Sequence, residues 1–272
     1  MMPGNLVETK RCKRIECVVP QSQQPSGLDH DLLDRARELV HKARKICALT
    51  GAGISAESGL ATFRDSGGLW EKHRVEDVAT PEGFARDPEL VWRFYNARRR
   101  AAHSVAPNPA HRTLAGLERT KKTTILTQNI DGLHQKAGSR DVVELHGSLW
   151  RVRCAQCGVV VSDLPVELPI LPRCEKCPGL LRPDVVWFGE PLDHKVLGMA
   201  DQASVSCDLF LVIGTSAQVQ PAASLAYRAG DRGIPIIQVN AEPTPISRLT
   251  ELSFIGRAGE ILPELVRGPR RQ

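Results

Sequence analysis

The sequence has no apolar run approaching the roughly 20 residues that a membrane-spanning helix requires. Its N-terminal stretch also lacks the order of a secretory signal, which is a charged segment followed by a continuous apolar stretch and a small-residue cleavage site. We therefore expect neither a membrane span nor secretion, and we predict a cytoplasmic protein. A mitochondrial presequence is the alternative because residues 1–14 are basic, although Glu8 and Glu16 break the acid-poor pattern of such peptides.

The chain also lacks an internal repeat and the cysteine pattern of a disulfide-stapled domain. Of its 8 cysteines in 272 residues, four are scattered, namely Cys12, Cys17, Cys47 and Cys207, and the others are paired. Reduced thiols fit an intracellular protein better than a secreted one. With 42% hydrophobic and 25% charged residues, the chain can build one large core and a small second domain.

The net charge of +5 does not by itself indicate a nucleic-acid site. Much of the positive excess lies in residues 10–14 and 267–271, which we interpret as solvated ends. We therefore predict no specific nucleic-acid partner. We also expect no membrane partner and a monomeric chain.

Strand and helix patterns alternate along the chain. Apolar strands are predicted at residues 46–50, 123–127, 142–145, 209–214, 234–239 and 252–255, with helices at 28–43 and 221–229 among the segments between them. This alternation predicts an α/β fold with a Rossmann-like, doubly wound parallel sheet covered by helices on both faces. Ligands of such sheets bind beyond the carboxyl ends of the strands, so the residues that follow the strands are the first candidates for a binding site.

The predicted organisation has two domains. Residues 28–150 and 183–266 form a nucleotide-binding domain, in which a helical insertion at about 66–108 belongs to the small domain. Residues 151–182 form a zinc-binding module. Residues 1–27 are a flexible arm, and residues 267–272 are a basic tail.

The stretch GAGISAESGLATFRD follows the first predicted strand. Gly51, Gly53 and Ala56 satisfy the spacing of a dinucleotide-binding turn, in which glycines let the backbone approach a pyrophosphate at a helix start. Alone, this pattern is also that of an ordinary turn. A dehydrogenase would place a second strand ending in an acid about 20 residues later, whereas this chain continues into a loop. That departure favours a dinucleotide that is cleaved and released.

The paired cysteines have the spacing of a four-thiolate zinc site. Cys154-x2-Cys157 and Cys174-x2-Cys177 are separated by sixteen residues. Two such knuckles close a tetrahedron without an open position, so the predicted zinc is structural. Coincidence or a redox pair is the alternative. The module lacks the interleaved basic and aromatic residues of a nucleic-acid-binding ribbon.

Further motifs then appear in a fixed order. They are TQNIDGLHQKAG at 127–138, ELHGS at 144–148, GTS at 214–216 and VNAE at 239–242. Together with the opening turn, they resemble the sirtuin family of NAD-dependent protein lysine deacylases over about residues 28–266. The resemblance implies an enzyme that consumes NAD as a cosubstrate and transfers the acyl group of an acylated-lysine protein or peptide to ADP-ribose. A dehydrogenase with a structural zinc and a non-catalytic NAD or ADP-ribose sensor are the alternatives.

The resemblance also implies roles for individual residues. His146 is implied as the base that deprotonates a ribose hydroxyl, with Asn129 and Asp131 around the nicotinamide and its ribose and Gln128 fixing that ribose. The remaining implied NAD-binding residues are Gly51, Ala52, Gly53, Ser55, Phe63, Arg64, Ile130, Gly214, Thr215, Ser216, Asn240, Ala241, Glu242 and Ala258. From the residues alone, a lone histidine is more often structural, and Asn129 or Asp131 caps a helix that begins near residue 132.

Two positions depart from the family pattern. Ala61 stands where proline is usual, and Asp65 stands where glycine is usual. We expect a less preorganised loop, and the extra carboxylate is expected to weaken NAD binding.

A predicted helix that begins after Asp87 is relevant to which acyl group the enzyme removes. Asp87 and Pro88 provide an N-cap and a first-turn proline. The pattern then predicts a buried stripe of Leu90, Phe94, Ala97 and Ala101, with Tyr95 and Arg98 together on an adjacent face. On an anonymous helix, Arg98 would be solvated and Tyr95 would be a packing residue.

At this place, however, Tyr-x-x-Arg resembles the sirtuin branch that removes succinyl, malonyl or glutaryl groups. Ala79 matches the small residue that leaves room for the longer acyl chain in that branch. The segment VVWFGE resembles the family segment that lines the substrate lysine, which implies substrate contacts for Val186, Phe188, Gly189 and Glu190. An ordinary core strand is the alternative for Val185 and Val186. The resemblance thus implies a desuccinylase and demalonylase with weak activity on acetyl-lysine; a deacetylase without acidic-acyl preference is the alternative.

Overall fold

The structure, a computed structural model, describes residues 30–61, 69–70 and 73–268. The predicted arm at 1–27 and residues Phe63, Arg64 and Asp65 lie outside the described residues. Within the described ranges, no helix combines the length and the apolar character needed to cross a bilayer.

Six parallel strands form the large sheet, which confirms the predicted Rossmann-like fold. The strands are β1 (Lys45–Thr50), β4 (Lys122–Thr127), β5 (Val142–Glu144), β9 (Leu209–Ile213), β10 (Ile236–Asn240) and β11 (Leu252–Ile255). Their order in the sheet is β11-β10-β9-β1-β4-β5. Each lies within two residues of its predicted bounds. Thr50 aligns with Thr127 on one side and with Ile213 on the other, so three carboxyl ends meet at one place on the sheet edge.

Helices cover both faces of this sheet. They are α1 (His30–Lys42), α2 (Ala52–Ala56), α6 (Pro109–Leu117), α7 (Leu133–Lys136), α8 (His194–Val205), α9 (Ser224–Asp231) and α10 (Ala258–Val266). One apolar core packs α1, α6 and α10 against the sheet, and a second packs α8 and α9 against the opposite face. Strands of a sheet covered in this way are buried on both faces, and every residue of β9 and β10 is buried.

A smaller, three-stranded antiparallel sheet carries the paired cysteines. It consists of β6 (Gly147–Cys154), β7 (Val160–Val161) and β8 (Leu181–Val185). Against it pack helices α3 (Val75–Val78), α4 (Pro81–Arg86) and α5 (Pro88–Ser104), and β2 (Leu69–Trp70) pairs with β3 (His73–Arg74). Of these elements, α3, α4, α5, β6 and β8 share a third apolar core.

Helix α5 begins as predicted but is buried differently. The Asp87 carboxylate accepts a hydrogen bond from the Leu90 N–H, which confirms the N-cap. The predicted four-residue stripe is wrong, because Leu90, Ala97 and Ala101 are only half-buried. The buried positions are instead Val91, Trp92, Phe94, Tyr95, Asn96, Arg98, Arg99 and Ala102. The helix packs against several elements at once, and polar side chains on it bond to loop carbonyls, so no single apolar stripe describes it.

Candidate active site

Two glycine turns meet at the carboxyl ends of β1 and β9. The Gly51 N–H donates to Ile213 O at 3.1 Å, and the Gly53 N–H donates to Gly214 O at 2.8 Å. A Cβ added to Gly53 would lie 2.8 Å from Gly214 backbone atoms, and one added to Gly51 would lie 2.7 Å from the Thr215 side chain. Gly214 has a φ of +58°. Both turns therefore exclude side chains, because their backbones pack directly against each other. The Gly53 N–H is occupied by its hydrogen bond to Gly214 O within the protein.

The residues after β4 join three strand ends. The Gln128 side chain donates to Thr215 Oγ1 at 2.8 Å, after β9. The Asn129 side chain donates to Gly51 O at 2.9 Å and to Ser55 Oγ at 3.1 Å, after β1. The structure therefore brings together polar residues that the sequence places in separate motifs.

Asp131 is a helix cap and a member of this polar cluster at once. Its carboxylate accepts from the Leu133 N–H at 2.8 Å, at the start of α7, and from the Ser55 hydroxyl at 2.8 Å. Burial raises the pKa of Asp131, while these two donors act in the opposite direction. Capping and a role in the cluster are thus compatible.

His146 lies just beyond β5 with a defined tautomer. Its Nδ1 lies 3.0 Å from the carbonyl oxygen of Gln128. Because a carbonyl oxygen only accepts, Nδ1 carries the hydrogen, and in the neutral ring Nε2 keeps its lone pair. Burial lowers the pKa of His146, although the bond to Gln128 opposes that shift. The neutral form, which can act as a base, is therefore favoured.

The other predicted NAD-binding residues lie along the same edge. The Asn240 side chain donates to Thr215 O at 2.9 Å. Ala241 and Glu242 are exposed after β10, Ser216 and Ile130 are half-buried, and Ala258 is buried at the start of α10. Ala52 is exposed at the start of α2, and Ala61 is exposed as well.

Two buried histidines beneath the cluster were not among the predicted site residues. His134 Nε2 lies 2.9 Å from Thr50 Oγ1, and His111 Nε2 lies 3.5 Å from Ser55 Oγ. Burial lowers the pKa of His111 to about 4 and that of His134 to about 3, so both rings are neutral. Their positions in the sequence could have indicated them. His134 lies within the TQNIDGLHQKAG motif, and His111 lies beside the buried Ala110 on α6.

The predicted substrate-binding segment follows β8 and passes His146. The Val186 N–H donates to His146 O at 2.9 Å, and the Phe188 N–H donates to Ala79 O at 3.0 Å. Phe188 is 51% exposed. The Glu190 carboxylate, in contrast, binds the Arg182 guanidinium through two contacts of 2.6 and 2.8 Å. Glu190 therefore supports the segment from within the protein.

Tyr95 and Arg98 lie on α5, on the side that packs into the small region. Tyr95 is 1% exposed and Arg98 is 9% exposed. Burial raises the pKa of Tyr95 to about 12, so its phenol stays protonated at neutral pH. Ala79 is buried in the same apolar core as Tyr95.

The four paired cysteines converge as a metal site requires. Their Sγ atoms all lie within 4.8 Å of one another, with Cys154 and Cys177 3.4 Å apart and Cys157 and Cys174 3.7 Å apart. Zinc–sulfur bonds of about 2.3 Å in a tetrahedron give sulfur separations of about 3.8 Å. Backbone N–H groups point at the sulfurs, and that of Cys157, with others, lowers the pKa of Cys154 to about 6. The cluster fits a structural zinc ion.

Comparisons with known proteins agree with this geometry. The profile described as "Sir2 family" matches residues 51–221. "NAD-dependent protein deacylase 2" of Pyrobaculum aerophilum is 49% identical over 237 residues, covering 86% of this chain and 95% of the relative. "NAD-dependent protein deacylase sirtuin-5, mitochondrial" of Danio rerio is 45% identical, covering 84% of each chain. A solved Sir2 homologue–NAD complex superposes with a TM-score of 0.81 at 45% identity, covering 90% of this chain and 95% of the other.

Proposed function

The chain belongs to the Sir2 family and is an NAD-dependent protein deacylase; from this premise we propose that its preferred substrates are lysines that carry acidic acyl groups, namely succinyl, malonyl and glutaryl. The proposed products are the free lysine side chain, nicotinamide and 2′-O-acyl-ADP-ribose. Acetyl-lysine is a poor substrate in this proposal.

The observation that carries the proposal is the burial of Arg98 next to Tyr95. A guanidinium is costly to bury, and this one is 9% exposed. Its charge acts on the Tyr95 hydroxyl and on the Asp131 carboxyl, and it opposes the rise in the pKa of each that burial causes. Arg98 is thus close both to the polar cluster and to the wall of the small domain, where the distal carboxylate of a succinyl group would find a cation and a phenol.

The neighbouring arginines show that burial here is selective. Arg98, Arg99 and Arg100 are consecutive, yet Arg100 is solvated and pairs with Glu167 at 2.7 Å. Arg99 is buried and donates to loop carbonyls. We infer that Arg98 is the one of the three that meets an acyl chain, because Arg99 is bonded to loop carbonyls and Arg100 is solvated.

We assign the proton transfer to His146. Bound NAD supplies the ribose carbon that receives the acyl oxygen and the nicotinamide that leaves. The His146 Nδ1–H bond to Gln128 fixes the ring, so Nε2 can take a proton from a ribose hydroxyl. Asn129 and Asp131 line the nicotinamide side in this proposal, and the glycine turns at Gly51 and Gly214 hold the phosphates.

The remaining aspects of function are also proposals. We propose that residues 28–150 and 183–266 act as the NAD-binding domain, and that residues 151–182 support the small domain. Proteins and peptides with acylated lysines are the proposed partners of a monomer. A cytoplasmic location remains our proposal, with the mitochondrion as the alternative, since the Danio rerio relative is named mitochondrial.

The test is a rate comparison on matched peptides. Nicotinamide release is measured with NAD and one peptide sequence carrying succinyl- or acetyl-lysine, for the wild type, Arg98→Met and the exposed-neighbour control Arg100→Met. We expect a higher kcat/KM for succinyl in the wild type. Arg98→Met should lower that value about 10- to 100-fold, because a hydrogen bond to a charged group contributes about 1.5–3 kcal/mol.

Arg100→Met should keep the wild-type ratio of succinyl to acetyl activity. A wild-type preference for acetyl would contradict the proposal, as would an Arg98→Met enzyme with an unchanged ratio.

A further inference from the structure

Trp187 is a buried residue of the predicted substrate-binding segment, and its side chain contacts Tyr95 on α5. It follows β8 and is 2% exposed. Its indole N–H donates to the Tyr95 hydroxyl oxygen at 2.9 Å, and this bond is itself buried. The two rings lie 6.4 Å apart between centroids. The indole therefore contacts the phenol on which the proposed acyl preference depends.

An ion pair holds Trp187 in this orientation. The Arg182 guanidinium lies over the indole, with Cζ 3.5 Å from the ring centroid, and binds the Glu190 carboxylate through both nitrogens of its fork. One oxygen of that carboxylate also accepts from the Trp187 backbone N–H at 2.9 Å. The Arg182–Glu190 pair thus holds both the indole face and the backbone N–H of Trp187. A guanidinium–carboxylate contact with two hydrogen bonds fixes the orientation of its partners more strictly than a single hydrogen bond does. The indole N–H has little freedom to turn away from Tyr95.

This contact determines which way the Tyr95 hydroxyl points. An indole N–H only donates, so the phenol oxygen accepts, and its own hydrogen points elsewhere. Among the residues that the structure describes, no acceptor takes that hydrogen. Because burial keeps the phenol protonated, the hydrogen remains available at neutral pH. The charge of Arg98 acts on the same hydroxyl, so an anion that approaches Arg98 also approaches this donor.

We propose that Trp187 is a positioning residue for acyl selectivity, which directs the Tyr95 hydroxyl hydrogen toward the distal carboxylate of the substrate. Arg182 and Glu190 hold Trp187 for this purpose. The inference rests on the proposed preference for acidic acyl groups, and it assigns part of that preference to a residue outside the Tyr-x-x-Arg pattern.

The position of the substrate's distal carboxylate determines whether KM or kcat should change. This carboxylate takes no part in bond breaking, so a hydrogen bond to it acts equally on the bound substrate and on the transition state. Loss of the orienting N–H should therefore raise KM for a succinyl peptide more than it lowers kcat. An acetyl peptide has no distal carboxylate, so the ratio of succinyl to acetyl kcat/KM should fall.

The test compares Trp187→Phe with Trp92→Phe on matched succinyl and acetyl peptides. Trp92 is a fully buried tryptophan of the same small region, and its indole N–H donates to Leu181 O instead of Tyr95. We expect Trp187→Phe to lower the succinyl-to-acetyl ratio about tenfold, mainly through KM, since a neutral hydrogen bond contributes up to about 1.5 kcal/mol. Trp92→Phe should keep the ratio.

A double-mutant cycle separates orientation from general loss of packing. If Trp187 acts through Tyr95, then Trp187→Phe should change the ratio much less in a Tyr95→Phe background than in the wild type. Should Trp187→Phe fail to fold, a benzothiophene amino acid in place of Trp187 keeps the ring shape and removes only the N–H. An unchanged ratio in Trp187→Phe or in the benzothiophene variant, or additive effects in the cycle, would overturn the inference.

The two proposals fail in different ways. A wild-type enzyme that prefers acetyl contradicts the proposed function. A wild-type enzyme that prefers succinyl and keeps this preference in Trp187→Phe contradicts only the role of Trp187.

Discussion

Two regions of the molecule are assembled by different rules. One is formed by the carboxyl ends of β1, β4 and β9, and the other surrounds Tyr95 and Arg98 on α5. Parallel pairing places Thr50, Thr127 and Ile213 in register, so the residues that follow them meet at one edge of the sheet. Around α5, no such rule applies. There, the Arg99 side chain reaches the carbonyls of Pro165 and Val166, and Trp187 reaches Tyr95 across 92 positions of sequence. The first region follows from topology, whereas the second depends on individual side chains.

The largest effect should come from the strand-end region, through His146→Tyr. This change removes the proposed base while leaving the sheet intact. We expect kcat to fall by about 10²–10⁴, the usual contribution of a general base, with little change in melting temperature. Nicotinamide release and thermal unfolding would be measured together. An enzyme that kept its turnover would rule out the assigned role of His146.

Removal of the zinc site should affect the α5 region next most strongly. Cys174→Ser deletes one of four thiolates, and structural zinc sites contribute directly to folding. We expect loss of bound zinc and at least about a tenfold fall in activity, because β6 and β8 flank the bond between Val186 and His146. Metal content and activity are the readouts.

Cys207→Ser is the control for that change, since Cys207 is a buried thiol outside the cluster. It should keep one zinc per chain. A Cys174→Ser protein with zinc and activity intact would contradict the assignment of the site.

A smaller effect is expected from Arg99→Met. The Arg99 guanidinium donates to carbonyl oxygens of Leu149, Pro165 and Val166. Leaving these acceptors without their donor should lower the free energy of unfolding by about 2–4 kcal/mol, measured by urea titration. Arg100→Met, on the exposed side, should change it by about 0.5 kcal/mol or less. Equal losses in the two variants would show that this buried contact network does not hold the region together.

The smallest effect concerns the histidines beneath the strand ends. Their folded pKa values, about 4 and about 3, lie below the ordinary 6.5. As pH falls below 6.5, the unfolded chain takes up protons that the folded chain does not, so stability is lost toward acid. We expect about 1 kcal/mol per histidine between pH 7 and 5.5. His134→Gln should reduce this slope, and an identical slope in urea titrations of both proteins would refute the linkage.

Local chemistry explains what the sequence could predict. The N-cap at Asp87 depends only on its neighbours. The strand-end residues depend on a parallel sheet, which the alternation of strands and helices predicts. The spacing of the four cysteines predicted their convergence, which the structure confirms. Strand alternation placed His146 and Gln128 at strand ends, whereas their catalytic roles came from the family resemblance and stay predictions.

What could not be predicted depends on long-range packing. Periodicity assumes one buried stripe, but α5 is buried on several sides, so Arg99 and Arg100 look alike in sequence and differ in the structure. The substrate contact assigned to Glu190 stays a prediction, but no sequence pattern indicated that its carboxylate binds Arg182. Trp187 carries no motif of its own, since its contact with Tyr95 exists only after the small region has packed.

The central claim is that the wall at Tyr95 and Arg98 selects the acyl group while the strand ends carry out the chemistry. A competition in one tube tests it most directly: equimolar succinyl- and acetyl-lysine peptides of one sequence compete for limiting NAD, and mass spectrometry follows both acyl-ADP-ribose products. We predict that succinyl-ADP-ribose forms first and in excess. Acetyl-ADP-ribose as the main product would contradict the account.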